Sequence, residues 1–220
     1  TATQAGLLLI PGSLTTAFMI PIIGNMLQKG VPQTYMIAVG FLIFFGFTFW
    51  MYTILTPDTG AEHIFWPLIL RGMGLGLLFV PITTMALSTL KGKHIGEGAA
   101  FTGMMRQLGG SFGIALITTF ITRFSQKHRV DLVSHLDTNN NAVQTRVMQM
   151  QQAFISKGYS ANVALDKAYQ ALDYSVMKQS TVLSYMDIFL YLGLLFVCCI
   201  PIILFIKRGK AKVDMSEAMH

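Results

Sequence analysis

Charge is what this sequence has least of. Asp, Glu, Lys and Arg make up 12% of 220 residues, against 53% hydrophobic, where soluble domains carry about 25% charged residues. That shortage excludes an ordinary soluble globule and predicts an integral membrane protein. Cysteine is scarcer still. Cys198 and Cys199 are neighbours in an apolar run; they read as small buried apolar residues and exclude a disulfide framework or thiolate metal site. Histidine is missing where chemistry would need it. His63, His94, His128, His135 and His220 are read as lying in loops or the tail. No apolar run then offers a nucleophile with its base or a metal constellation, so neither a membrane-embedded enzyme nor a metal or cofactor is expected. No initiator Met and no basic n-region with a cleavage site precede the first apolar run. A signal peptide is not expected, and the chain reads as a fragment.

What is present is apolar length. Runs over residues 6–27, 35–55, 65–87, 99–121 and 186–206 match the roughly 20 residues that cross a bilayer's hydrocarbon core. The expected fold is all-α and transmembrane, with five spanning helices. Sixteen Phe and fourteen Met fit a lipid-facing or adaptable apolar lining. A net charge of +6 could suggest nucleic acid, but in a membrane protein the placement of Lys and Arg among the short loops is what informs. Lys29, Lys91, Lys93, Lys207, Arg208, Lys210 and Lys212 fall on one side, while the turn 56–63 carries Asp58 and Glu62 and no basic residue. The positive-inside bias makes the first side cytoplasmic, with the tail 207–220. Lipid is an expected partner and nucleic acid is not.

The polar segment 122–185 has a pattern of its own. Val143, Val147, Met150 and Phe154 recur at helical spacing before Gly158, and after Ser160 so do Leu165, Ala168, Leu172 and Val176. The expectation is an extracytoplasmic hairpin of two amphipathic helices. Their stripes either pack on each other or present a docking surface to a partner.

Within the third run, Arg71-Gly72-Met73-Gly74-Leu75-Gly76-Leu77-Leu78-Phe79-Val80-Pro81 organises the rest. Each glycine costs about 1 kcal/mol of helix propensity against Ala in water, a cost that close helix approach in lipid would explain. Gly72 and Gly76 make a small-xxx-small pair, and Pro81 removes a backbone donor, which bends or weakens the helix there. Pro11 and Pro21 should kink the first span in the same way. The glycines serve packing or line a substrate path.

Arg71 and Arg106 are the charges inside the runs, and an intramembrane charge is a functional candidate by default. Arg71 lies about 9 Å of helix rise from Phe65, so it is either an anchor reaching the interface or a functional group. Arg106 is followed by Gln107 and by Gly109, Gly110 and Gly113, which would admit another backbone. It is expected to face the interior and pair with a carboxylate or a helix end. No run contains Asp or Glu apart from Asp187, which stands at the mouth of the last one, so that acid is sought outside this chain.

Three stretches then resemble one family in order. Gln4-Ala5-Gly6-Leu7-Leu8-Leu9-Ile10-Pro11-Gly12, the stretch from Arg71 to Pro81, and Arg106-Gln107-Leu108-Gly109-Gly110-Ser111-Phe112-Gly113-Ile114-Ala115 look like the C-terminal half of the EmrB/QacA branch of the major facilitator superfamily. Leu183-Ser184-Tyr185-Met186-Asp187-Ile188-Phe189 resembles it as well. One turn departs from the family pattern, with Gln28 and Lys29 where Asp and Arg would stand.

The resemblance implies a fourteen-span transporter of which these five helices are the last, an incomplete C-terminal half. It implies export of drugs or other amphipathic small molecules in exchange for protons across the bacterial cytoplasmic membrane. The other half of the same transporter, its substrate and protons are the implied partners; a periplasmic adaptor protein or another copy is what an exposed stripe of the hairpin would dock. The alternative function is a non-transporting membrane scaffold that presents the outer hairpin to a partner.

Overall fold

An apolar run in lipid must satisfy its own backbone hydrogen bonds, and a helix does so within one segment. The computed structural model describes residues 2–88, 90, 92, 94–136 and 141–205. It consists of α1 (Ala2–Gln28), α2 (Gln33–Ile54), α3 (Ala61–Leu87), α4 (His94–Ser134), α5 (Asn141–Ile155) and α6 (Ala161–Phe205), with no strand among the described residues. All but α5 are long and apolar enough to cross a membrane, and the protein is an all-α, multi-pass membrane protein. Lys91, Lys93 and the basic tail with Lys207, Arg208, Lys210 and Lys212 lie outside the described residues, as do Ile206 and His220.

Two helix ends show how the sequence stops a helix. After α1, Gly30 takes φ 84°; its N–H donates to Leu27 O at 3.0 Å and that of Val31 to Met26 O at 3.2 Å. After α5, Gly158 takes φ 93°; its N–H donates to Ile155 O at 2.9 Å and that of Tyr159 to Phe154 O at 3.3 Å. Each pair is the 5→2 and 6→1 closure that a left-handed residue permits, and Gly adopts that conformation without a Cβ penalty. The Phe154 and Tyr159 rings stand 6.2 Å apart, the apolar contact that accompanies such a stop.

The helices do not end where the apolar runs end. The expected spans at 99–121 and 186–206 are parts of longer helices, α4 running on to Ser134 and α6 starting at Ala161. Only α5 stands as a separate helix in the segment 122–185. The reason is local: no Gly or Pro occurs between Gly113 and Gly158 or between Gly158 and Gly193, and Ala, Leu, Gln and Lys in these stretches propagate a helix as well in water as in lipid. One consequence corrects the placement of the histidines. His63 lies in α3, and His94 and His128 lie in α4, in helices and not in loops.

The described residues divide into two compact units, drawn from Thr1–Met51, Gly60–Ile114 and Leu190–His220 and from Tyr52–Thr59 and Ala115–Phe189. In the first, α3 lies between α1 and α2. Lipid tails are as apolar as Leu, so helices gain here by van der Waals contact and close approach. Ile23, Met36 and Leu77 form one core cluster; Ile37, Phe41 and Leu78 form another, to which Phe196 of α6 adds a ring 5.5 Å from that of Phe41. The last helix reaches α2 through Gly193, where a Cβ would stand 2.6 Å from Thr48 Oγ1.

In the second unit, the buried face of α6 runs at four-residue spacing through Ala164, Ala168, Val176, Ser180, Ser184 and Ile188, with Leu172 half-buried in the series. Ser180 and Ser184 are 0% exposed yet satisfied, their hydroxyls donating to Met177 O at 2.9 Å and Ser180 O at 2.7 Å. Val147 is the buried residue of α5, and Gln151 Nε2 donates to Ala161 O at 3.1 Å.

Candidate functional site

The alternating glycines of α3 serve two neighbours. A Cβ on Gly72 would collide with Gly12 O of α1. One on Gly76 would stand 2.8 Å from Met19 Cβ, also on α1. Gly74 faces the other way, toward Phe44 of α2 at 3.3 Å, and Gly40 of α2 admits Leu78 at 2.9 Å. The spacing explains the split, since positions four apart share a helix face and positions two apart do not. Where α1 and α3 meet, the Thr16 hydroxyl lies 3.0 Å from Gly12 O and 3.1 Å from Gly72 O, bridging the two backbones.

Pro11 and Pro21 lie inside α1, and Pro67 and Pro81 inside α3; each helix continues through them. Pro67 and Pro81 are fully buried. Beside Pro81, the Thr83 hydroxyl reaches Phe79 O at 2.7 Å and Val80 O at 2.9 Å, and that of Thr84 reaches Val80 O at 2.7 Å. These are local bonds back to the preceding turn, whereas the carbonyl that Pro81 leaves without its usual N–H is that of Leu77.

The α3 helix also presents an outer groove. Leu75, Leu78, Phe79, Ile82 and Thr83, with Arg106 of α4, line a shallow, open groove of about 210 Å³. The Arg106 guanidinium carbon stands 4.6 Å from the centroid of the Phe79 ring. That is a cation–π contact, about 0.5–1 kcal/mol at exposed sites and about 2 or more when desolvated. Arg106 makes no ion pair among the described residues, so the ring is its partner here. Guanidinium, aromatic face and aliphatic wall form a surface suited to molecules with one polar and one apolar end.

The rest of α4 is open. It has no buried residue; Phe112 is 68% and Ile114 65% exposed. Gln107, Gly109 and Gly110 are exposed, and a Cβ on Gly109, Gly110 or Gly113 would meet nothing within 4 Å. Arg71 of α3 is half-buried and makes no hydrogen bond or ion pair among the described residues.

Phe79 escaped the sequence reading, although it stands in the quoted motif, because nothing in its spacing marks it as the partner of Arg106. A second pair was hidden by distance along the chain: Nε2 of His128 in α4 lies 2.8 Å from Oδ2 of Asp187 in α6. No group of three His, Cys, Asp or Glu side chains is placed to hold a metal among the described residues.

Comparison with known proteins adds relatives. The chain is 26% identical to the Fatty acid resistance protein FarB of Neisseria gonorrhoeae over 92% of its own length and 38% of the relative's. It is 30% identical to the Uncharacterized MFS-type transporter YhcA of Bacillus subtilis over 98% of its length and 42% of the relative's. It is 27% identical to the Multidrug export protein EmrB of Escherichia coli K12 over 69% of its length and 29% of the relative's. The chain therefore spans less than half the length of each. No family model and no solved structure matches it. Relatives sharing sequence over most of this chain, together with its five apolar helices, make it a homologue of the EmrB-type transporters of the major facilitator superfamily.

Proposed function

We propose that this chain serves the proton-coupled export of drugs or other amphipathic small molecules by alternating access. Relatives named for multidrug export and for fatty acid resistance support the substrate class. The observation that carries it to particular residues is the groove where Arg106 stands over Phe79 among aliphatic side chains. In alternating access two helical bundles rock about a shared site; in this reading the second bundle is an N-terminal half of the same transporter. A periplasmic adaptor is the partner proposed for the segment that contains α5.

The test uses the full-length protein in proteoliposomes with an imposed pH gradient and two fluorescent amphipathic probes, one cationic and one anionic. Gradient-driven movement of at least one, abolished by a protonophore, is the expected result. A folded protein that moves neither would instead favour the scaffold.

The same reading places the protein in the bacterial cytoplasmic membrane with its C-terminus in the cytoplasm, on the asymmetry of Lys and Arg between the loops. With Cys198 and Cys199 replaced by Ala, single cysteines at Lys93 and Asn140 should react with an impermeant maleimide from opposite sides of sealed membranes. Equal reaction of both in intact cells would defeat this orientation.

A further inference from the structure

We propose that His128 and Asp187 form a proton-binding site, in which the His128 imidazole gains and loses the proton exchanged against substrate and Asp187 holds it in place. This inference rests on the proton-coupled reading above. It also answers a shortage in that reading, because Arg71 and Arg106, the charges of the apolar runs, stay protonated and cannot carry a proton on and off.

The pair is built by the fold and not by neighbourhood in sequence. His128 Nε2 and Asp187 Oδ2 meet at 2.8 Å across 59 residues, from α4 to α6. The His94–Glu97 pair, by contrast, lies within one turn with side chains 72% and 70% exposed. The side chains of His128 and Asp187 are 22% and 34% exposed. Each is partly open at the surface of this chain, where a proton can be exchanged, yet sheltered enough for the charge–charge attraction to escape full screening.

Their charged neighbours are engaged elsewhere or face solvent. Arg129 is held by Asp173 at 2.7 Å, and Lys178 by Asp58 of the turn at 3.5 Å. Arg123, Lys127 and Asp131 on α4 are exposed, and so is Asp166 on α6. Ser125 and Ser180, with hydroxyls 3.4 Å apart, are the uncharged polar contact between the same helices. Asp187 is thus the carboxylate that acts on His128.

The hydrogen-bond chemistry fixes which nitrogen works. An ionised carboxylate only accepts, so the nitrogen facing Asp187, Nε2, carries its hydrogen in either charge state. Nδ1 has no partner among the described residues and is free to take the second proton. In the step proposed, neutral His128 takes a proton from water at Nδ1 and becomes an imidazolium paired with Asp187. The proton later returns to water as substrate binds, leaving the neutral ring. One N–H bond forms and breaks, and nothing else changes. Histidine suits this because its charge changes between about pH 5 and 8.

Two measurements on the full-length protein test it. In nanodiscs, with 15N-labelled histidine and H128Q to assign the signals, Nδ1 of His128 should take up a proton as the pH is lowered while Nε2 stays protonated; D187A, which leaves no acceptor, should abolish that Nε2 hydrogen bond. In proteoliposomes with ethidium as probe, H128Q should drop gradient-driven flux to the protonophore background while ethidium exchange without a gradient persists. The swapped variant H128D/D187H should recover part of the flux, which separates lost coupling from lost folding. A His128 ring that does not titrate, or H128Q with wild-type gradient-driven flux, overturns the proton site and leaves the exporter standing. Wild-type protein without gradient-driven flux overturns the coupled reading itself, and the ring titration then decides whether the pair binds a proton.

Discussion

Arg106→Ala should cut gradient-driven export by roughly two- to fivefold, the equivalent of about 0.5–1 kcal/mol for a cation–π contact at an exposed site, while the protein still inserts and folds. Arg106 has no anionic partner among the described residues and stands 4.6 Å over the Phe79 ring, in a groove otherwise lined by Leu75, Leu78, Ile82 and Thr83. Removing it leaves that groove without a charge and changes nothing in the buried core, because α4 buries no residue. Lysine keeps the charge but lacks the flat guanidinium that lies along a ring, so Arg106→Lys should fall between wild type and Ala. Phe79→Ala should lose less than Arg106→Ala, and the double variant no more than Arg106→Ala alone, because the two side chains act as a pair. The measurement is initial export rate per folded transporter. An Arg106→Ala protein at the wild-type rate would reduce the residue to an anchor at the membrane surface.

What the sequence revealed and what it hid follow from the range of the forces involved. Apolar run length and glycine spacing are local signals, so the five membrane-length helices and the stop at Gly158 could be read directly. The ends of α4 and α6 could not, because the change from apolar to polar residues marks where a membrane surface would fall and does not break a helix. Side-chain partners were harder still. Gly72 and Gly76 announced a close approach, but only the fold shows Gly12 and Met19 opposite them and Phe44 opposite Gly74. The meeting of His128 with Asp187 depends on how α4 and α6 lie together, which no spacing within either helix encodes.

Gly72→Leu should destroy the α1–α3 contact and with it the fold of the first unit, seen as loss of monodisperse protein in detergent and a collapse in thermal stability. A Cβ here would run into the carbonyl oxygen of Gly12 and stand 2.9 Å from Thr15 Cβ. The first obstacle is backbone, which cannot rotate away as a side-chain tip can. Even Gly72→Ala should therefore cost about 1–3 kcal/mol, the usual cost of overpacking, and it should weaken the Thr16 bridge to Gly72 O, now at 3.1 Å. Gly76→Ala should cost less than Gly72→Ala, since it meets no backbone atom, but it should still destabilise: its nearest obstacle is Met19 Cβ at 2.8 Å, which no rotamer change moves, with Ile23 Cδ1 at 3.3 Å. Gly109→Ala is the control of opposite sign. Its Cβ meets nothing within 4 Å, so the helix should keep its contacts and gain up to about 1 kcal/mol of propensity. Gly72 on α3 then acts by what it lets approach, whereas Gly109 on α4 admits no neighbour among the described residues. A Gly72→Leu protein as stable as wild type would mean that α1 and α3 do not meet at Gly12.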